Sequence, residues 1–126
     1  DLVAAEHACK QFGLTTIVSV LRNRNQLEKS NMVVSGHRLV KYLKSNQDET
    51  FEWIDLGLLR FQKSDFDGVS GETSTDLASI LSRLIEERKV FAWEEEQRFW
   101  DIGTPEALHS TELWLGSRSV QQKDPE

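Results

Sequence analysis

The run Leu14-Thr15-Thr16-Ile17-Val18-Ser19-Val20-Leu21 limits the possible folds more than any other stretch of this chain. A β-branched, nearly continuous apolar segment of this length reads as a strand buried on both faces, which requires cover above and below. Directly before it, Leu2, Ala5, Cys9 and Phe12 recur at helical spacing, and Gly13 suits the end of that helix. A helix feeding a buried strand is the second half of a βαβ unit, and its first strand has no counterpart upstream in this sequence. The expectation is therefore a sheet cut at its N-terminal side, with an unpaired edge that invites association.

After the polar stretch from Arg22 to Ser30, Asn31–Val34 and His37–Leu43 predict two short strands about a Ser35-Gly36 turn. Phe51–Phe61 is the longest strand candidate and carries one carboxylate, Asp55, with Gly57 just beyond. An Asp inside an apolar strand needs a hydrogen-bond partner or a ligand, because burying it alone is costly. Lys63–Ser74 reads as a loop. Leu77, Ile80, Leu81, Leu84 and Ile85 then form one apolar helical stripe, capped by Ser74 or Thr75 and ending near Arg88 and Lys89. That stripe reads as core. Val90–Trp93 predicts a strand, and Glu94-Glu95-Glu96 a solvated turn.

Arg98 to Asp101 predicts a short strand delivering one carboxylate to a glycine turn. Thr104 is a good N-cap, Pro105 fits the first helical position and Glu106 the first turn of a helix expected to stop at Gly116. Open α/β sheets present ligand groups at such strand ends, although Asp is also common there for turn geometry alone. Residues 1–116 then form one domain, with 117–126 a polar, disordered tail.

Composition excludes several classes. A net charge of −6 and a pI near 5.1 disfavour nucleic acid or an anionic membrane as the main partner. No apolar run approaches membrane-spanning length. The single Cys9 cannot form an internal disulfide, which fits a cytoplasmic setting, and its place in an apolar stripe reads as packing. His7, His37 and His109 are too widely spaced for a short zinc motif.

Four segments in order resemble the sugar-phosphate nucleotidyltransferases. Phe99-Trp100-Asp101-Ile102-Gly103-Thr104-Pro105-Glu106 is similar to that family's closing signature, and Trp53-Ile54-Asp55-Leu56-Gly57 to its mid-chain strand. Val40-Lys41-Tyr42-Leu43-Lys44 resembles the segment ending in a sugar-phosphate-binding lysine, with Leu43 where many relatives have an acidic residue. Asp76-Leu77 and the amphipathic helix resemble the helix between the last two motifs. The likeness runs from Thr15 to Leu115 and covers only the C-terminal half of such a protein. The glycine-rich loop around the nucleotide phosphates is not in this sequence.

The resemblance implies an α/β fold, a partial Rossmann-like mixed sheet flanked by helices and truncated at its N-terminus. It implies a complete enzyme that joins a sugar 1-phosphate to a nucleoside triphosphate, giving an NDP-sugar and pyrophosphate, with this half inactive alone. Asp101 would be a Mg²⁺ ligand, Lys44 the catalytic cation on the sugar phosphate, Asp55 an acceptor for sugar hydroxyls, and Gly57 a point of close approach. Two other readings stand beside it: a non-catalytic sugar-nucleotide binding or regulatory module of the same descent, and an interaction domain with only the architecture in common.

Overall fold

The computed structural model describes residues 1–24, 26–27, 29–43, 50–69, 71, 76–100 and 102–121, with the backbone alone at 119–121. The chain begins with α1 (Leu2–Gln11), N-capped by the Asp1 carboxylate, which accepts from Val3 N–H at 3.0 Å. Its end is a Schellman turn. Gly13, at φ +66°, sends its N–H to Lys10 O, and the Leu14 N–H reaches back to Cys9 O. The side chains of Cys9 and Leu14 close the same turn in the core, and burial pushes the Cys9 thiol pKa up. The chain therefore leaves the helix aimed at β1 (Thr16–Arg22).

β1 is buried on both faces, as its composition demands. Ile17 packs with Ala5, Cys9, Leu14 and Phe91 beneath α1, while Val18 and Val20 join the main core on the other side. The further strands are β2 (Met32–Ser35), β3 (Arg38–Tyr42), β4 (Trp53–Arg60) and β5 (Val90–Glu94). A 3₁₀ turn at Lys63–Phe66 and α2 (Leu77–Glu86) lie between β4 and β5, and α3 (Pro105–Gln121) closes the described chain. The N-cap of α2 is Asp76, whose carboxylate accepts from Ala78 N–H at 3.2 Å; Ser74 and Thr75 lie outside the described residues.

The strands form a closed barrel in the order β1-β4-β2-β3-β5, and this overturns the expected Rossmann-like open sheet flanked by helices. β1 does have a parallel neighbour, but it comes from downstream: Thr16 to Val20 pair in register with Val90 to Glu94 of β5. Every other pairing in the ring is antiparallel. Two narrow seams complete closure. One is Met32 opposite Trp53, beside the Asn31 N–H to Trp53 O bond at 2.9 Å. The other is Arg38 opposite Phe91, beside the Ala92 N–H to His37 O bond at 2.8 Å. The curvature comes from register breaks in β1·β4 and β2·β3 and from a two-residue turn at Gly36-His37. With the ring closed, the expected unpaired edge at β1 does not exist.

The main core joins Val18, Val20, Met32, Leu39, Val90 and Ala92 of the strands to Ile80, Leu81 and Leu84 of α2. The apolar stripe of α2 is thus core, as its periodicity predicts. α2 also ends in a Schellman turn, with Arg88 held at φ +58° while Lys89 N–H reaches Leu84 O at 2.9 Å. Two expectations near the C-terminus differ from the structure. Residues 98–100 form no strand, because each of the five barrel strands already has two neighbours and offers no free edge. The last helix continues through Gly116 to Gln121, so Gly116 is an interior position and not a stop. Residues 122–126 lie outside the described residues.

Candidate functional site

The site begins with an irregularity in β4. Val18 pairs with Leu59 and Val20 with Asp55, so Leu56, Gly57 and Leu58 together oppose the single residue Ser19. Two extra residues on one strand make a three-against-one bulge, a device that bends the strand and re-aims its side chains. Ser19 keeps the ladder intact across it. Its hydroxyl donates to Leu58 O at 3.0 Å and accepts from Leu58 N–H at 3.2 Å, replacing two backbone partners with one buried side chain. Gly57 adopts φ +82°, a conformation that L-residues resist.

This bulge shapes the surroundings of Asp55. Its Oδ1 accepts the Gly57 N–H at 2.6 Å, closing a tight local turn. Burial raises the Asp55 pKa above the ordinary aspartate value, and the Gly57 N–H opposes part of that rise. Gly57 is its single hydrogen-bond partner among the described residues, so the carboxyl retains acceptor capacity.

Across from Asp55 lies the segment leading into α3. Thr104 caps that helix by accepting from Ala107 N–H at 3.1 Å, and Pro105 and Glu106 hold the positions their residue types suit. Asp55, Gly57, Arg98, Trp100 and Thr104 together line a cleft of about 670 Å³. Two segments more than forty residues apart in sequence therefore share one cavity, which is the size of small-molecule sites. The cleft combines a carboxyl, a guanidinium, a hydroxyl and aromatic rings. Such a mixture can hydrogen-bond a polyhydroxylated molecule, set an apolar ring face against Phe99 and offer a cation to a phosphate.

Asp55 and Gly57 are thus adjacent in the cleft. Lys44 and Asp101, the expected phosphate cation and metal ligand, lie outside the described residues. Among the described residues there is no group of three or more His, Cys, Asp or Glu side chains placed to hold a metal ion. Of the expected Glu94-Glu95-Glu96 turn, Glu94 is the last residue of β5, and Glu95 just beyond it accepts from the Trp93 indole N–H at 2.7 Å. Sequence reasoning missed Ser19 and Arg98. Ser19 could have been noticed as the one Ser in an aliphatic strand that must pair with an Asp-x-Gly strand. Arg98 carries no such signal, since its place depends on the path of a segment without regular structure. No described helix is long and apolar enough to cross a membrane.

One prediction isolates the bulge. A Cβ built on Gly57 meets nothing within 4 Å, so Gly57→Ala adds no clash and tests backbone conformation alone. The expected loss is about 1–2 kcal/mol in denaturant unfolding, with Gly57→Asn losing less because Asn tolerates the left-handed region. Equal stability of Gly57→Ala and the parent would mean that β4 relaxes out of the bulge.

No family model matches the chain, and no curated protein matches it significantly.

Proposed function

We propose that the cleft is the sugar-phosphate subsite of a nucleotidyltransferase that makes an NDP-sugar and pyrophosphate from a nucleoside triphosphate and a sugar 1-phosphate. The observation carrying this reading is the meeting of Asp55, Leu56 and Gly57 with Arg98, Phe99, Trp100 and Thr104 around one cavity. These are parts of the two segments with the most specific resemblance to that family, and their separation in sequence makes a shared cavity a meaningful support. The proposal concerns the site and does not revive an open Rossmann-like sheet.

In-line displacement has a phosphate oxygen of the sugar attack the α-phosphorus, with pyrophosphate leaving. Two polyanions must come together, so the work of the protein is positioning and charge screening. On this reading Asp55 accepts a sugar hydroxyl through the oxygen capacity left by its Gly57 bond. The exposed backbone at Gly57 lets the ring approach closely. Arg98 supplies a cation at the cleft wall, and Lys44 a second one from outside the described residues. Mg²⁺ would supply further charge screening at Asp101, also outside them, with Asp55 as the carboxyl in the described part of the cleft. The glycine-rich loop for the nucleotide phosphates would come from a preceding segment of the protein.

The test is a titration with α-D-glucose 1-phosphate, α-D-mannose 1-phosphate and N-acetyl-α-D-glucosamine 1-phosphate, followed by backbone amide NMR. At least one should shift Gly57 and Thr104 saturably, while the free sugar and inorganic phosphate bind at least tenfold more weakly. Binding of all three elsewhere, or of none, would overturn the sugar-phosphate reading. Binding without any nucleotidyl transfer by the longer protein would favour a module that recognises sugar phosphates without acting on them.

A further inference from the structure

Beside the candidate cleft, and separate from the reading proposed for it, lies an aromatic column with cations at both ends. Trp100 stacks on Trp114 of α3 with centroids 4.8 Å apart and planes 21° from parallel. The Arg98 guanidinium carbon lies 4.2 Å from the Trp100 ring centroid, and that of Arg118 4.5 Å from the Trp114 centroid. A ring stacked on one indole face leaves the opposite face for the guanidinium, so the order is Arg98, Trp100, Trp114, Arg118. With Gln97 and Phe99, these four line a second cavity of about 600 Å³ whose wall is mainly apolar.

The chemistry of this wall is one-sided. A guanidinium held over a ring face by its charge keeps its N–H donors for other acceptors. Indole edges carry the positive part of the ring quadrupole, and the indole N–H lies in that edge. Neither arginine makes an ion pair, and neither indole N–H makes a hydrogen bond, among the described residues. In a chain of net charge −6, two unpaired guanidiniums held around one cavity are a local reversal of sign. Gln97 alone adds a side-chain acceptor. With both faces of each indole already covered, a ligand meets donors at the rim and carbon at the wall.

The geometry points to a second ligand site here, for a phosphorylated small molecule with an aromatic or apolar body. The phosphate takes the donors at one end of the column, the Arg118 guanidinium and the Trp114 indole N–H, and the body runs along the ring edges towards Phe99 and Arg98 at the other end. Arg98 and Trp100 also line the candidate sugar-phosphate cleft, so the two cavities share a wall. Occupying one can therefore bias the other, with equal effect in both directions.

The chain's four tryptophans make the test direct, because each contributes one indole N–H signal in a ¹H–¹⁵N spectrum. Adenosine 5′-monophosphate is titrated into the full chain, with adenosine, inorganic phosphate and chloride at matched ionic strength as comparison arms. The expected result is a saturable shift of the Trp100 and Trp114 signals with the nucleotide, leaving Trp53 and Trp93 in place. Adenosine and phosphate should bind at least tenfold more weakly, and chloride should do nothing. Arg118→Gln, at an exposed position, should weaken the nucleotide at least tenfold. Equal affinity of phosphate and nucleotide would overturn the role of the apolar wall. Movement of all four indoles, of none, or an undiminished response in Arg118→Gln would overturn the site. The indole assignment uses the parent protein, so it decides the matter even where the variant unfolds.

Discussion

Asp65→Ala should lower stability by on the order of 3 kcal/mol, the largest loss expected from a single polar substitution among the described residues. Asp65 is 5% exposed, and its Oδ2 accepts both the Thr16 hydroxyl at 2.9 Å and the Gln62 N–H at 2.7 Å. Removing the carboxylate strands a hydroxyl that is itself fully buried and also a backbone donor. Each orphaned buried group costs about 1–3 kcal/mol. The Arg83 guanidinium donates to the Asp65 carbonyl, a bond that survives the substitution and keeps α2 tethered to the 3₁₀ turn. Asp65→Asn separates charge from hydrogen bonding. One amide oxygen can occupy the Oδ2 position and accept both donors, so the loss should be nearer 1 kcal/mol. Urea unfolding of the two variants beside the parent measures the difference. Equal losses would show that the charge matters and the shared acceptor does not.

Asp55→Asn should have the opposite signature: sugar-phosphate binding falls by tenfold or more while stability at neutral pH holds or rises. Burial has raised the Asp55 pKa, so the folded state keeps its proton to higher pH than the unfolded chain does. Between the ordinary aspartate value of about 3.9 and the raised one, the native state therefore binds more protons. Stability falls as pH rises through that window, and above it the charged form carries the full desolvation cost. Asn keeps an oxygen for the Gly57 N–H and has no charge to desolvate. The difference in melting temperature, variant minus parent, should thus grow from pH 4 upward and then level off. Melts across that range, with the glucose 1-phosphate titration repeated, provide the measurement. A variant that loses stability at pH 7 would make Asp55 a structural residue, and unchanged affinity would remove it from the site.

Each of these carboxylates was visible in the sequence to a different degree. Asp55 stood out because it interrupts an apolar strand, and a charge in that setting needs a reason. Asp65 did not, since it lies in a stretch rich in Gly, Ser and Asp where another Asp looks like a solvated turn. Its importance depends on Thr16, forty-nine positions away, and nothing local announces such a pairing. Trp100 and Trp114 were legible as aromatic residues but not as a stacked pair. Residues 98–100 were expected to pair as a strand, and a closed ring leaves no edge for that.

What the sequence determined by itself was local. The helical stripe of α2, the Gly13 turn that ends α1, the two-faced burial of β1 and the Thr104-Pro105 start of α3 all follow from residue types within one or two turns of chain. Side-chain period, capping and left-handed glycine are short-range physics. The tertiary structure decided which strand edges met. The run at β1 called for a parallel neighbour, and local pattern could not say that β5 would supply it from more than seventy residues downstream. Nor could it say that the hairpin would curl until β3 met β5. A strand's side chains declare which faces must be covered, but its backbone N–H and C=O groups are alike in every strand. Partner choice is settled only when the whole core packs, and here packing closed the sheet into a barrel.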